Sequence, residues 1–327
     1  MTAPEDELAQ LRRLARPRRL LTRELHPFNA FYGHAEILRR YAGIAGSRPL
    51  KAALEHGPTF FQNVDDPDLA TRLPRYFCAA PGQACFFEEH AFHRPRAVAI
   101  GAPILYARAL APPQPPADRR LVFFDAHSSH YATSRYDVAA TAVRLEELRT
   151  EFDEVVVCLY WRDVLLGRAE LYRSHGFRCV TAGHMFDERF LFRLVEIISS
   201  ASIVLTHRLG SHLLYSVALD RPVWLERSAV DYELAGDAPR ATLGPPKQGE
   251  VLQRATALFS RRVERVAPEQ RAFADELCGV AHVPSPDELA GLLEEAEAAY
   301  RSETPARWRR RLEAAAAARY LWNAAHW

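Results

Sequence analysis

Ser202-Ile-Val-Leu-Thr206-His-Arg-Leu-Gly210-Ser-His-Leu-Leu-Tyr215-Ser-Val-Ala-Leu-Asp220-Arg-Pro-Val-Trp-Leu225-Glu226 reads as strand, loop, helix and strand in succession. Residues 203–206 form an apolar run, and the loop after them closes at Gly210. A helix is expected over 211–219, followed by a turn at Asp220-Arg221-Pro222 into a second strand. A strand that passes through glycine into a helix start makes an anion seat. The first N–H groups of the helix have no partner of their own, and the positive end of its dipole points the same way. Gly210 is expected to give the loop a positive φ, with Ser211 as N-cap. In an open parallel sheet such loops lie at the carboxyl edge, where ligands bind.

Upstream of this unit the same alternation repeats. Strands are expected at 121–124, 155–159 and 177–180, with helices at 138–152, 164–175 and 187–200. Strands that alternate with helices make a parallel sheet covered on both faces, and solid apolar runs are what doubly buried strands look like. The proline cluster 111–117 is the best linker, since it sustains neither helix nor central strand. Before it, strands are expected at 50–54, 76–79 and 97–100 and a helix at 33–41, while 4–25 reads as a basic amphipathic helix broken at Pro17. After 250 the chain reads as helices only, with Pro268, Pro286 and Pro305 in first turns. The aromatics Tyr320, Trp322 and Trp327 suggest that the last helix is anchored on another part of the fold. The fold class expected is therefore α/β, with parallel sheets in two domains. An N-terminal α/β domain would cover 1–110, a Rossmann-like domain 111–265 and helices packing across both 266–327.

The 327 residues suffice for two domains. A net charge of +1, with Lys51 and Lys247 the only lysines, argues against a general nucleic-acid binder. The acidic N-terminus lacks the apolar core of a signal peptide, and no apolar run approaches the roughly 20 residues of a membrane helix. A cytoplasmic protein is the expectation. The basic stretch 4–25 is read first as a packing helix, with docking to the inner face of a membrane as its alternative. Cys78, Cys85, His90 and His93 cluster, yet their spacing fits no zinc pattern, so no metal is expected.

Histidines at strand ends are the most telling polar residues. His56 follows the first strand. His127 and His130 bracket Ser128-Ser129, His184 follows Gly183, and His207 and His212 flank Gly210. One such histidine is a core or capping residue by default. This many at carboxyl ends point to a shared cleft. Ser128 and Ser129 are equally suited to turns or to donating to a phosphate. Arg162 could neutralise phosphate and Tyr160 or Trp161 could stack on a base, against a plain surface role. Thr206 ends the strand of the anion seat, and Tyr215 lies one turn beyond Ser211 on the same helix face. A proton acceptor would come from the facing domain. His56 is preferred to Glu55 because its ordinary pKa, near about 6.5, needs no large shift. His34 and Glu36 are reserves. No G-x-G-x-x-G, Walker A loop or G-x-S-x-G is present, which removes support from dehydrogenase, P-loop kinase and hydrolase readings.

On these residues the chain resembles GT-B glycosyltransferases, and specific stretches are similar to bacterial proteins associated with capsule and lipopolysaccharide synthesis. The stretches are 54–57 (LEHG), 100–103 (IGAP), 127–130 (HSSH), 157–161 (VCLYW), 181–184 (TAGH) and 210–215 (GSHLLY) with Arg221-Pro222. The resemblance implies two Rossmann-like domains facing across a cleft. It also implies a transferase that uses a nucleotide-sugar as co-substrate, without a metal or other cofactor, and a surface glycan or related acceptor. The donor would bind the second domain and the acceptor the first. Ser128-Ser129 could match the serine pair by which related sialyltransferases hold a CMP phosphate, but the accompanying His-Pro motif is missing from the second domain. Two alternatives share the fold: a nucleotide-sugar epimerase and a non-catalytic assembly protein.

Overall fold

The computed structural model describes residues 4–17, 24–60, 64–112, 115–129, 132–234 and 248–326. Three parallel strands, β1 (Ala52–Leu54), β2 (Arg75–Cys78) and β3 (Arg96–Ala99), make the first sheet, in sequence order. The second sheet uses β4 (Arg120–Phe124), β6 (Glu154–Cys158), β7 (Arg178–Val180), β8 (Ile203–Thr206) and β9 (Val223–Leu225). Its order is β7-β6-β4-β8-β9, all parallel. The order reverses between β4 and β8, so the loops that leave these neighbours diverge and open a crevice at their carboxyl ends. β5 (Ala132–Arg135) pairs with β10 (Asp231–Leu234) in a separate antiparallel ribbon that the sequence did not announce.

Alternation along the strands explains why both faces are covered. On β4, Leu121 and Phe123 enter one apolar cluster while Val122 and Phe124 enter another. The second of these clusters does not stop at the lobe boundary. It also contains Leu54 and Phe77 of the first sheet and Ile104 and Ala107 of the helix Pro103–Leu110, which packs on the helix Phe190–Ser199. The two lobes therefore share one continuous core, an arrangement that resists hinge motion more than a small polar interface would.

The end segments tie the lobes further. The helix Pro4–Ala15 buries Leu11 and Ala15 against the second sheet's cluster, and the Leu14 carbonyl accepts from His184 N–H. The helix Pro268–Cys278 lies on the helix Ser211–Ala218, and the helix Pro286–Glu303 returns to β1 and the helix His34–Tyr41. Gly279 terminates the helix Pro268–Cys278 at φ +63. A Cβ there would stand 1.8 Å from the Ala79 carbonyl oxygen, so the chain approaches β2 as only glycine allows. Among the described residues, no helix is long and apolar enough to cross a membrane.

Candidate functional site

The crevice between the lobes is a cavity of about 180 Å³. From the first lobe, Tyr32 and His56 reach it. From the second come Phe124, His127, Tyr160, Ser211, His212 and Tyr215. Six of the expected site residues thus meet: His56, His127, Tyr160, Ser211, His212 and Tyr215. The lobes touch directly across it, because Tyr32 Oη lies 3.2 Å from Tyr160 Oη.

The helix Ser211–Ala218 begins at this cavity. Gly210 is its N-cap, and its φ of −164° is extended backbone open to any residue, so the expected positive φ is wrong. The glycine is there for space: a Cβ would lie 2.8 Å from His212 Cε1 and 2.9 Å from its Nδ1. The His212 ring stacks on Phe124 at 5.0 Å. Its Nε2 lies 2.8 Å from Thr206 Oγ1, whose own hydrogen goes to the Arg208 carbonyl at 3.0 Å. The hydroxyl therefore accepts, and His212 carries its proton on Nε2. Burial, with His127 nearby, lowers His212 to about 3. It is a neutral wall of the cleft, and Thr206 holds it there without lining the cavity. Among the described residues no acceptor takes the N–H of Ser211 or His212, whereas Leu213 N–H already bonds to the Gly210 carbonyl.

The serine pair after β4 is used up internally. Ser128 is fully buried: its N–H donates to Asp163 Oδ2 and its Oγ accepts from Ser134 N–H. Ser129 turns the chain, with its N–H on the Ala132 carbonyl and its Oγ accepting from Ala132 N–H. Neither hydroxyl reaches the cleft, and His130 lies outside the described residues. Asp163 is clamped by Arg168 at 2.9 Å. Burial raises its carboxyl, while Arg168 and Ser128 pull it back. His127 faces the cleft with Tyr160 5.2 Å away; desolvation lowers it and Asp163 opposes that shift.

Three other expected contributors stand apart. Gly183 (φ +98) makes room for Arg193 and for the Leu14 carbonyl. His184 is fully buried against Trp161, and its Nδ1 accepts from Phe186 N–H. Arg162 does not line the cleft, and among the described residues its buried Nε finds no partner.

Glu55 and His56 diverge because neighbours on an extended chain point to opposite sides. His56 enters the cleft among Phe28, Phe31 and Tyr32, with ring centroids 4.8, 5.4 and 5.7 Å away. Burial first, and His127 second, lower it to about 4. Glu55 lines a different cavity, accepts from Ala79 N–H at 2.7 Å and is pushed up by burial to about 8. The reserves stand apart as well: His34 is fully buried, and the half-buried Glu36 pairs with Arg39.

Tyr32 and Asp125 were missed by sequence reasoning. Tyr32 sits at φ 56 beside Gly33, in a 3-10 segment that no periodicity marks. Asp125 ends β4 directly and was visible as an acid after an apolar run; burial raises it to about 7. A second opening, of about 640 Å³, flanks the other side of the 207–210 loop. It is lined by Arg208, Arg227, Leu225 and Leu252. Among the described residues neither arginine makes an ion pair; Arg208 lies over the Tyr232 ring at 5.3 Å.

Two α/β lobes with a cleft at the strand reversal of the larger sheet make a Rossmann-like architecture, and that reversal is where sheets of this kind place their ligand sites. No family model and no curated protein matches the chain. Among solved structures it is similar to UDP-GlcNAc 2-epimerase from Neisseria meningitidis bound to UDP-GlcNAc, at 9% identity over 68% of this chain and 60% of that one, TM-score 0.34. It is also similar to sucrose-phosphate synthase from Thermosynechococcus elongatus, at 14% identity over 69% and 59%, TM-score 0.31. A third is glycosyltransferase SnogD from Streptomyces nogalater, at 14% identity over 90% and 82%, TM-score 0.30. The chain spans about six tenths of the length of the first two. These are distant likenesses of fold and carry no chemistry; the architecture stands on this chain's own strand order.

Proposed function

We propose that the chain is a glycosyltransferase of the GT-B type, moving a sugar from a nucleotide-sugar to a bacterial surface glycan or related acceptor on the cytoplasmic side. The observation that carries the reading is the pair of N–H groups on Ser211 and His212 that no acceptor takes among the described residues. Both residues line the cleft, while residues 207–209 just before them line the arginine-bearing opening. A cleft of 180 Å³ falls below the roughly 300–1,000 Å³ of pockets that enclose drug-sized ligands. It suits a sugar, and the 640 Å³ opening suits the nucleotide, with Arg208 and Arg227 toward its phosphates.

In this reading the bond from the sugar's anomeric carbon to the donor phosphate breaks, and one to the acceptor oxygen forms. The leaving oxygen receives the two N–H groups and the helix dipole, a preorganised anion site that needs no metal. His56, on the facing lobe, accepts the acceptor's proton. It is neutral in the free protein, and the negative charge of a bound donor counters the depression of its pKa. The test is turnover of nucleotide-sugars, read as released nucleotide. His56→Ala is expected to lower it by about 100-fold, the scale of a lost general base, while nucleotide binding persists. Binding without turnover in the unmodified protein would instead support the non-catalytic assembly role, and a changed sugar with no released nucleotide the epimerase.

A further inference from the structure

The cavity that Glu55 lines is separate from the cleft and larger, about 540 Å³. It lies at the carboxyl ends of β1 and β2, under the last turn of the helix Pro268–Cys278. Its titratable lining is Glu55, Asp275, Glu276 and His282, and no arginine or lysine of the described residues lines it. Glu55 is nine-tenths buried. One of its oxygens takes the Ala79 N–H; among the described residues the other has no partner, and it is not sealed from the cavity. The groups that face Glu55 from the surrounding elements are Asp65 and Asp68, Tyr76 and Cys78 of β2, Tyr215, and Cys278. All are acidic or neutral. Arg271 is near Asp275, yet its guanidinium is committed to the Val217 carbonyl and to Asp220.

Helix electrostatics point the same way. Asp275 and Glu276 occupy the last turn of a helix that carries no basic residue there, the end where cations are favoured. The opposing positive end, the start of the helix Pro81–His90, is thinned: Pro81 has no N–H, and Gln83 N–H is taken by the Ala80 carbonyl.

We propose that this cavity binds a primary ammonium group on a sugar-sized polyol, with Glu55 as its buried counter-ion and Asp275 and Glu276 at the rim. The volume lies within the range of small-molecule pockets. Among the described residues no cation pairs with Glu55, whose carboxyl burial keeps protonated, so a ligand that brings a positive charge is what would let it ionise. On binding, the Glu55 carboxyl gives up its proton to solvent and pairs as carboxylate with the ammonium; no other bond changes. The proposal does not depend on what the cleft between the lobes binds.

The test is calorimetric titration of the full chain with glucamine, an amino-polyol that stays protonated at pH 7, with sorbitol as its uncharged counterpart. Titrations in two buffers of different ionisation enthalpy count the protons released. With Glu55 pushed up to about 8, release of about 0.9 proton per glucamine is expected at pH 7. Glu55→Gln should abolish the release and weaken binding about tenfold. Asp275→Asn, on the half-buried rim, should weaken binding severalfold with the release intact, and it stands in if the first variant does not fold. No heat with glucamine, equal binding of sorbitol, or release unchanged in Glu55→Gln would overturn the proposal.

Discussion

A methyl group on Gly210 would lie within 3 Å of the His212 ring, although the backbone there is open to any residue. The cost of Gly210→Ala is therefore overpacking alone, about 1–3 kcal/mol. The ring cannot move away without leaving Phe124 and Thr206. We expect Gly210→Ala to lower the urea midpoint in the unmodified background and to do so far less on top of His212→Ala. Equal losses in the two backgrounds would show that the ring does not occupy the glycine's space. The same few residues show how a site is built from neutral parts. His212 gives the cleft a flat wall, Thr206 fixes its tautomer, and the proposal assigns anion binding to the backbone N–H groups of Ser211 and His212.

At the level of elements, much was legible before the structure. The strand 203–206 was read to the residue, and the strands around it to within a residue or two, because both faces of each are apolar. The strand-end rule then brought His56, His127, Ser211 and His212 to one cavity. What failed had physical causes. The helix Pro81–His90 was missed because it is short and its apolar pair, Phe86 and Phe87, falls side by side rather than in a stripe. The helix expected over 164–175 is two, Trp161–Leu165 and Arg168–Ser174, broken by Gly167 at φ +84. The ribbon of β5 and β10 joins segments about a hundred residues apart, and β10 is exposed along its whole length, so no local pattern announces it. Ser128 suits a turn or a phosphate ligand equally, because turn and ligand serines occur in the same places; Asp163, distant in sequence, decides between them.

Over the whole molecule, buried titratable groups set the response to pH. Burial lowers His34 and His212 to about 3 and His56 to about 4. Such histidines leave stability untouched above about pH 6.5 and reduce it as pH falls toward 3–4, because the unfolded chain takes up protons that the folded one refuses. Glu55 at about 8, Asp125 at about 7 and Asp65 at about 6 act in the opposite sense. They leave stability untouched below about pH 4 and reduce it as pH rises through those values. The two sets oppose each other between the ordinary carboxylate and histidine ranges, so unfolding midpoints should peak on the acid side of neutrality. Removing Glu55 from the second set, as Glu55→Gln, should move the peak to higher pH; a peak that stays in place would contradict these assignments.

The shared core leaves little room for the lobes to part, so under the proposed function the grip on a donor falls to groups already in place at the helix Ser211–Ala218. Proline at a first helical position removes the N–H and leaves the helix intact, which makes Ser211→Pro the most direct probe. Calorimetry with UDP, GDP, ADP and CMP should find at least one that binds the unmodified protein. Ser211→Pro should weaken that binding at least about tenfold, the scale of one charge-assisted hydrogen bond. Failure of all four to bind, or equal binding by the proline variant, would contradict the account.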